Sequence, residues 1–128
     1  MHIRKYLNKG VKYYGCDYKK REEGTLICDL SIGEFPDVDV CTCFMAGVLE
    51  YLQNWRDVLR NMSLHCNQIV MSYSTSEEAE VRDARWVNNI SEIELIRFLE
   101  SCGFLLNEKK KVTFNSMGYN FIKGNRYV

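Results

Sequence analysis

Residues 38–52 read VDVCTCFMAGVLEYL, and the order of residue types in that stretch decides the fold. After Asp39 the run through Met45 is apolar on both faces, the pattern of a strand buried in the middle of a parallel sheet. Gly47 follows at once and allows close backbone approach. Trp55, Val58, Leu59 and Met62 then fall at i, i+3, i+4 and i+7, with Arg56, Asp57 and Arg60 on the other side. This spacing predicts a helix with Asn54 as its N-cap. Residues 68–73 (QIVMSY) repeat the strand character. Upstream, residues 11–16 (VKYYGC) and 25–28 (TLIC) predict two short strands. Downstream, Ser91 and Glu94 have capping-box spacing, Leu95, Phe98, Leu99 and Cys102 form an apolar stripe, and Gly103 supplies a stop. The tail predicts strands over about 105–115 and 119–123, joined by a turn at Ser116-Met117-Gly118 and paired antiparallel because no helix separates them.

The alternation argues for an α/β fold, a mostly parallel sheet closed by a C-terminal antiparallel hairpin, in one domain over residues 1–128. A hydrophobic share of 46% suits a packed core. Seventeen basic and seventeen acidic residues cancel, which argues against general attraction to nucleic-acid phosphates. The basic runs, at 19–21 and 109–111, are short. No apolar run approaches the roughly 20 residues that span a bilayer, and the amino terminus has no apolar h-region, so a cytoplasmic location is expected. The six cysteines mostly border apolar runs and read as reduced core thiols. Cys41-Thr42-Cys43 lacks a companion CxxC, and neither His2 nor His65 stands at ligand spacing from it, so no metal site is expected.

In open α/β sheets ligands sit beyond the carboxyl ends of the strands. Asp17 closes the first predicted strand and Asp29 the second. The 46–47 glycine turn follows the third, and Ser72-Tyr73-Ser74 end the fourth. A carboxylate there can accept hydrogen bonds from both hydroxyls of a ribose, or from an exocyclic amine. An aspartate at a strand end is also a common turn or cap residue, and both readings stay open.

The succession YYGCDYKKR, CDL, DVDVCTCFMAGVLEYLQNW, IVMSYS and ISEIELIRFLESCGF resembles class I (Rossmann-like) S-adenosylmethionine-dependent methyltransferases, over almost the whole chain. The most specific part is GVLEYL preceded by D-x-D and a strand. On that resemblance Asp17 holds the cofactor's ribose, and Asp29 receives the adenine amino group with the Leu30 N–H on the ring. The turn Phe44, Met45, Ala46, Gly47 lines the methionine end. Glu50, Tyr51, Tyr73 and Trp86 are the candidate substrate residues, with cap and packing roles as the alternative for Glu50 and Tyr51.

The chain departs from the family in one respect. The family carries, before the YYGCD strand, a first strand ending in a glycine-rich turn, and no G-x-G-x-G occurs here. HIRKYLNKG resembles the end of the helix after that turn, with Ile3, Tyr6 and Leu7 facing inward. The first strand therefore reads as missing from a truncated domain. Either the YYGCD and DVCTCFM strands pair directly, or a second copy supplies a strand through a homodimer or strand swap. S-adenosylmethionine binding is expected to be weak without the loop. The 74–89 segment (STSEEAEVRDARWVNN) stands where a substrate lid would be, or is a solvated loop anchored by Trp86. Glu77, Glu78 and Glu80 there disfavour phosphate. The Asn/Asp-Pro-Pro-aromatic run of the adenine- and glutamine-modifying amino-methyltransferases is absent at Ser72-Tyr73, which argues against a nucleobase acceptor. A small-molecule acceptor is expected. The alternative is a non-catalytic partner or scaffold module that has lost cofactor binding.

Overall fold

In a computed structural model that describes residues 6–79 and 81–124, the chain divides into two compact units, Met1–Pro36 and Asp37–Val128. In the first unit β1 (Cys16–Asp17) and β2 (Leu26–Ile27) pair in parallel, Cys16 opposite Leu26 and Asp17 opposite Ile27. The amide bonds at its ends run from Leu26 N–H to Gly15 O at 2.7 Å and from Cys28 N–H to Asp17 O at 2.8 Å. The strand expected over 11–16 is thus reduced to its end, because Val11–Tyr14 gain no ladder partner. Of the expected helix end, Ile3 lies outside the described residues. Tyr6 is 76% exposed rather than inward-facing.

The second unit builds a four-stranded sheet in the order β3-β4-β6-β5, with β3 Thr42–Ala46, β4 Gln68–Tyr73, β5 Phe104–Thr113 and β6 Ser116–Lys123. β3 and β4 are parallel, while β6 lies antiparallel between β4 and β5. Within its own unit each sheet stands by itself: β1 pairs with β2, and β3 with β4.

The helix over Trp55–His65 (α1) follows the stripe read from sequence, burying Trp55, Val58 and Leu59. Asn54 stands at its N-cap but makes no side-chain capping bond. In α2 (Glu92–Ser101) Ser91 does cap, its Oγ accepting the Glu94 N–H at 3.1 Å. The reciprocal half of the box is not made, since the Glu94 carboxylate pairs with Arg56 at 2.9 Å. Gly103, at φ +92°, ends the helix in the left-handed conformation glycine favours.

Ile69, Met71 and Tyr73 of β4, with Tyr119 and Phe121 of β6, are buried, as are Val58, Leu59, Leu95, Leu99 and Phe104. The other face differs from expectation. Phe44 is 43% exposed, Ala46 is also exposed, and β4 alternates buried and half-buried residues. The physical reason is that β4 pairs antiparallel on one side, and sheets of that kind tolerate a one-sided core.

The hairpin turn is displaced as well. Phe114 and Asn115 make it, with Thr113 opposite Ser116. Thr113 Oγ1 accepts the Asn115 N–H at 3.1 Å and lies 2.8 Å from Ser116 Oγ. Gly118 sits inside β6, where an added Cβ would come within 2.8 Å of Val112 Cγ1. Cross-strand closeness, not turning, requires that glycine. The thiols are also less uniform than expected: Cys28 and Cys66 are buried, but Cys16 and Cys41 are exposed. No described helix is long and apolar enough to cross a membrane.

Candidate functional site

The residues expected to hold a cofactor fall in both units. In the first, Asp17 Oδ1 accepts the Tyr18 N–H at 2.7 Å and Oδ2 accepts Arg21 Nε at 2.7 Å. The Arg21 bond holds the Asp17 carboxyl below its ordinary pKa, against the opposing effect of burial. Asp29 Oδ1 accepts the Ser31 N–H at 3.0 Å and the Ser31 hydroxyl at 2.6 Å, capping the short 3-10 turn Leu30–Ile32. Asp17 ends β1, while Asp29 stands two residues past the end of β2; both are half-buried, and their remaining lone pairs suit hydroxyl or amine donors. Both also serve their own turns.

In the second unit the carboxyl ends of β3 and β4 meet as predicted. Ala46 stands opposite Ser72, and the Gly47 N–H donates to Ser72 Oγ at 3.2 Å. Gly47 has φ +62°, and a Cβ added there would meet no atom within 4 Å, so open space faces this backbone. Phe44, Ala46 and Gly47 are exposed, but Met45 points into the core and is 5% exposed. Only the Met45 backbone is available for a ligand there.

Beside the glycine turn lies a cavity of about 250 Å³ lined by Gly47, Glu50, Tyr51, Ser72, Ser74, Trp86, Thr113, Asn115 and Ser116. Three of the four candidate substrate residues reach it. Tyr73, fully buried, does not line it. Its hydroxyl donates to Asn88 Oδ1 and accepts the Ile90 N–H at 3.0 Å. Asn88 was not singled out from the sequence, yet it clasps the 74–90 loop. Its Nδ2 donates to Leu49 O at 2.8 Å and Leu52 O at 3.0 Å. An asparagine between polar neighbours gives no sequence signal of this kind. The loop's anchor is thus Asn88, while the half-buried Trp86 forms cavity wall under the Arg82 guanidinium, 5.4 Å above its ring. The Glu77 carboxylate turns to the Glu92 N–H at 3.0 Å and Glu78 pairs with Lys111 at 3.3 Å. Glu80 lies outside the described residues.

Glu50 is the unusual group. It is 3% exposed; Oε2 accepts the Ser74 N–H at 3.0 Å, while Oε1 is buried with no hydrogen-bond partner among the described residues. Desolvation pushes its carboxyl pKa up, and the amides of Glu50 and Ser74 with the Ser74 hydroxyl only partly offset this. A carboxyl whose folded pKa is raised contributes stability that is complete below the unfolded value and is lost as pH rises through the folded one. Glu50→Gln, which keeps an acceptor for Ser74, is therefore expected to match the wild-type melting temperature near about pH 4 and to exceed it at about pH 8. Melting curves across that range check this; a deficit at the higher pH would contradict it.

No protein-family model and no curated protein matches the sequence. Solved structures match the fold. Magnesium protoporphyrin IX methyltransferase from Synechocystis PCC 6803 with bound SAM is 12% identical, with a TM-score of 0.66 over 87% of this chain and 59% of that one. A complex between the Haloferax volcanii Trm112 methyltransferase activator and a protein described as a methyltransferase matches at TM-score 0.67 and 9% identity, over 90% and 72%. LepI in complex with SAM matches at TM-score 0.66 and 12% identity, over 95% and 39%. The chain spans between 51% and 59% of the length of the protoporphyrin methyltransferase structures. At these identities the likeness is one of fold: the chain has the Rossmann-like methyltransferase fold, with the antiparallel β6 inserted beside β4.

Proposed function

We propose that this chain is the larger, C-terminal part of an S-adenosylmethionine-dependent methyltransferase domain acting on a small molecule. The observation that carries the reading is the fold, shared with structures that hold SAM or SAH. Its support within the chain is the open space at the Gly47 backbone and the carboxylates of Asp17, at the end of β1, and Asp29, at the turn after β2. The residues present fit such a ligand in kind. Asp17 would take the ribose hydroxyls, Asp29 and the Leu30 N–H the adenine, and the 44–47 turn the methionine end. When bound, S-adenosylmethionine supplies an electrophilic methyl group; the chain's part is to align an acceptor and keep water out. The small cavity and its buried carboxylate favour a small acceptor over a phosphate-bearing polymer.

The test is a methyl-transfer assay with methyl-labelled S-adenosylmethionine against a low-mass metabolite extract and, separately, RNA, DNA and protein. Label in the low-mass fraction is expected. Label in a polymer overturns the acceptor class. No transfer from any pool overturns activity in this chain and favours the scaffold reading.

A further inference from the structure

Side chains along β5 alternate between the two faces of the sheet, and the charges on the two faces fare differently. On the side of the buried Tyr119, Lys109 pairs with Glu92 at 3.1 Å and Lys111 with Glu78 at 3.3 Å. On the opposite side, Glu108 and Lys110 are exposed and have no ion pair or side-chain hydrogen bond among the described residues. They stand opposite Asn120 and Gly118 of β6, in a groove of about 340 Å³ whose walls include Phe44, Ala46, Val70 and Val112. Phe44, Leu105, Val112 and Ile122 are all exposed, and Leu105 shares this face through its pairing with Ile122. A contiguous apolar face of this kind marks an interaction surface, and its cover must also match two free charges of opposite sign.

The order along β5 on this face is Leu105, Glu108, Lys110, Val112: apolar, acid, base, apolar. Reversed, that order is its own complement. A twofold axis lying between two stacked sheets and crossing β5 at Lys109 sets Glu108 over the second copy's Lys110. The same rotation sets Leu105 over the second copy's Val112 and lays β3 over β3, so that Phe44 meets apolar surface. Self-complementarity of one patch is what a twofold interface requires.

We propose that this face is the interface between two copies of the chain, stacked sheet on sheet about a twofold axis, with Glu108 of each copy paired to Lys110 of the other. Sheets packed face to face stand about 10 Å apart, room for two layers of interdigitated side chains. The interface uses none of Asp17, Asp29 and Glu50, so it stands or falls apart from the methyltransferase reading. It also differs from a strand exchange, which would use the edge of β3 and not its face.

Sedimentation velocity on the full chain, over a micromolar to millimolar range, tests it. The wild type is expected to pass from monomer to dimer. Glu108→Lys and Lys110→Glu each bring like charges face to face, and each is expected to weaken the dimer about a hundredfold or more. Mixed in equal amounts, the two variants are expected to associate, because each then meets charges of the opposite sign. A chain with both reversals regains the pattern and is expected to dimerise like the wild type. Circular dichroism checks the fold of each variant. Leu105→Asp, which sets a carboxylate against the second copy's Val112, gives an independent loss should a charge variant fail to fold. A wild type that stays monomeric overturns the proposal, and Glu108 and Lys110 then serve to keep copies apart. Single reversals that leave the dimer intact overturn it too and point to the β3 edge, and so do variants that stay apart on mixing.

Discussion

Phe104→Ala is expected to cost the second unit about 3–5 kcal/mol, measured by denaturant unfolding. Phe104 opens β5 directly after the Gly103 helix stop and is fully buried. It pairs with Lys123 across the hairpin, next to the Gly124 N–H to Gly103 O bond at 2.8 Å. Removing the ring empties the place where α2, β5 and β6 meet, and no exposed side chain can refill it without dragging solvent inward. Small domains are typically stable by about 5–15 kcal/mol, so this variant is expected to lose much of its folded population on mild warming. A cost under about 1 kcal/mol would mean that the β5–β6 hairpin is not packed on the helices as described.

The second large effect concerns the loop that closes the cavity. Asn88→Ala is expected to cost about 2–4 kcal/mol, since it removes two bonds to the Leu49 and Leu52 carbonyls and leaves the Tyr73 hydroxyl without its acceptor. Tyr73→Phe removes only part of the same network, so the double variant should cost less than the sum. The loop also returns through the Val87 N–H to Glu50 O bond at 2.9 Å. Loss of Asn88 is therefore expected to displace Trp86 from the cavity wall, read as a shift of its indole N–H resonance. An additive double variant with an unmoved Trp86 signal would show that Asn88 does not hold the loop.

What the sequence disclosed, and what it hid, follows physical lines. The stripe from Trp55 to Met62 and the stripe from Leu95 to Cys102 gave both helices, because periodicity is a property of the local chain. Residues 68–73 gave β4 to the residue. The 11–16 strand shrank to two residues because strand length depends on a partner, and the partner is remote in sequence. The hairpin turn moved from 116–118 to 114–115, since Gly118 answers to Val112 across the strands and not to its own neighbours. Gly47, Glu50 and Trp86, singled out from the sequence, stand together around one cavity. Tyr73 was placed on the right edge, but alternation along β4 turns it into the core. Asn88 stayed invisible, because an asparagine clasp is defined by which carbonyls it meets.

The central claim is that the chain keeps a binding site for the methyltransferase cofactor, and calorimetric titration with S-adenosylhomocysteine tests it most directly. The account predicts saturable one-site binding by the folded wild type, abolished in both Asp17→Ala and Asp29→Ala with circular dichroism unchanged. A folded wild type that gives no binding heat, or binding indifferent to both aspartates, would contradict it.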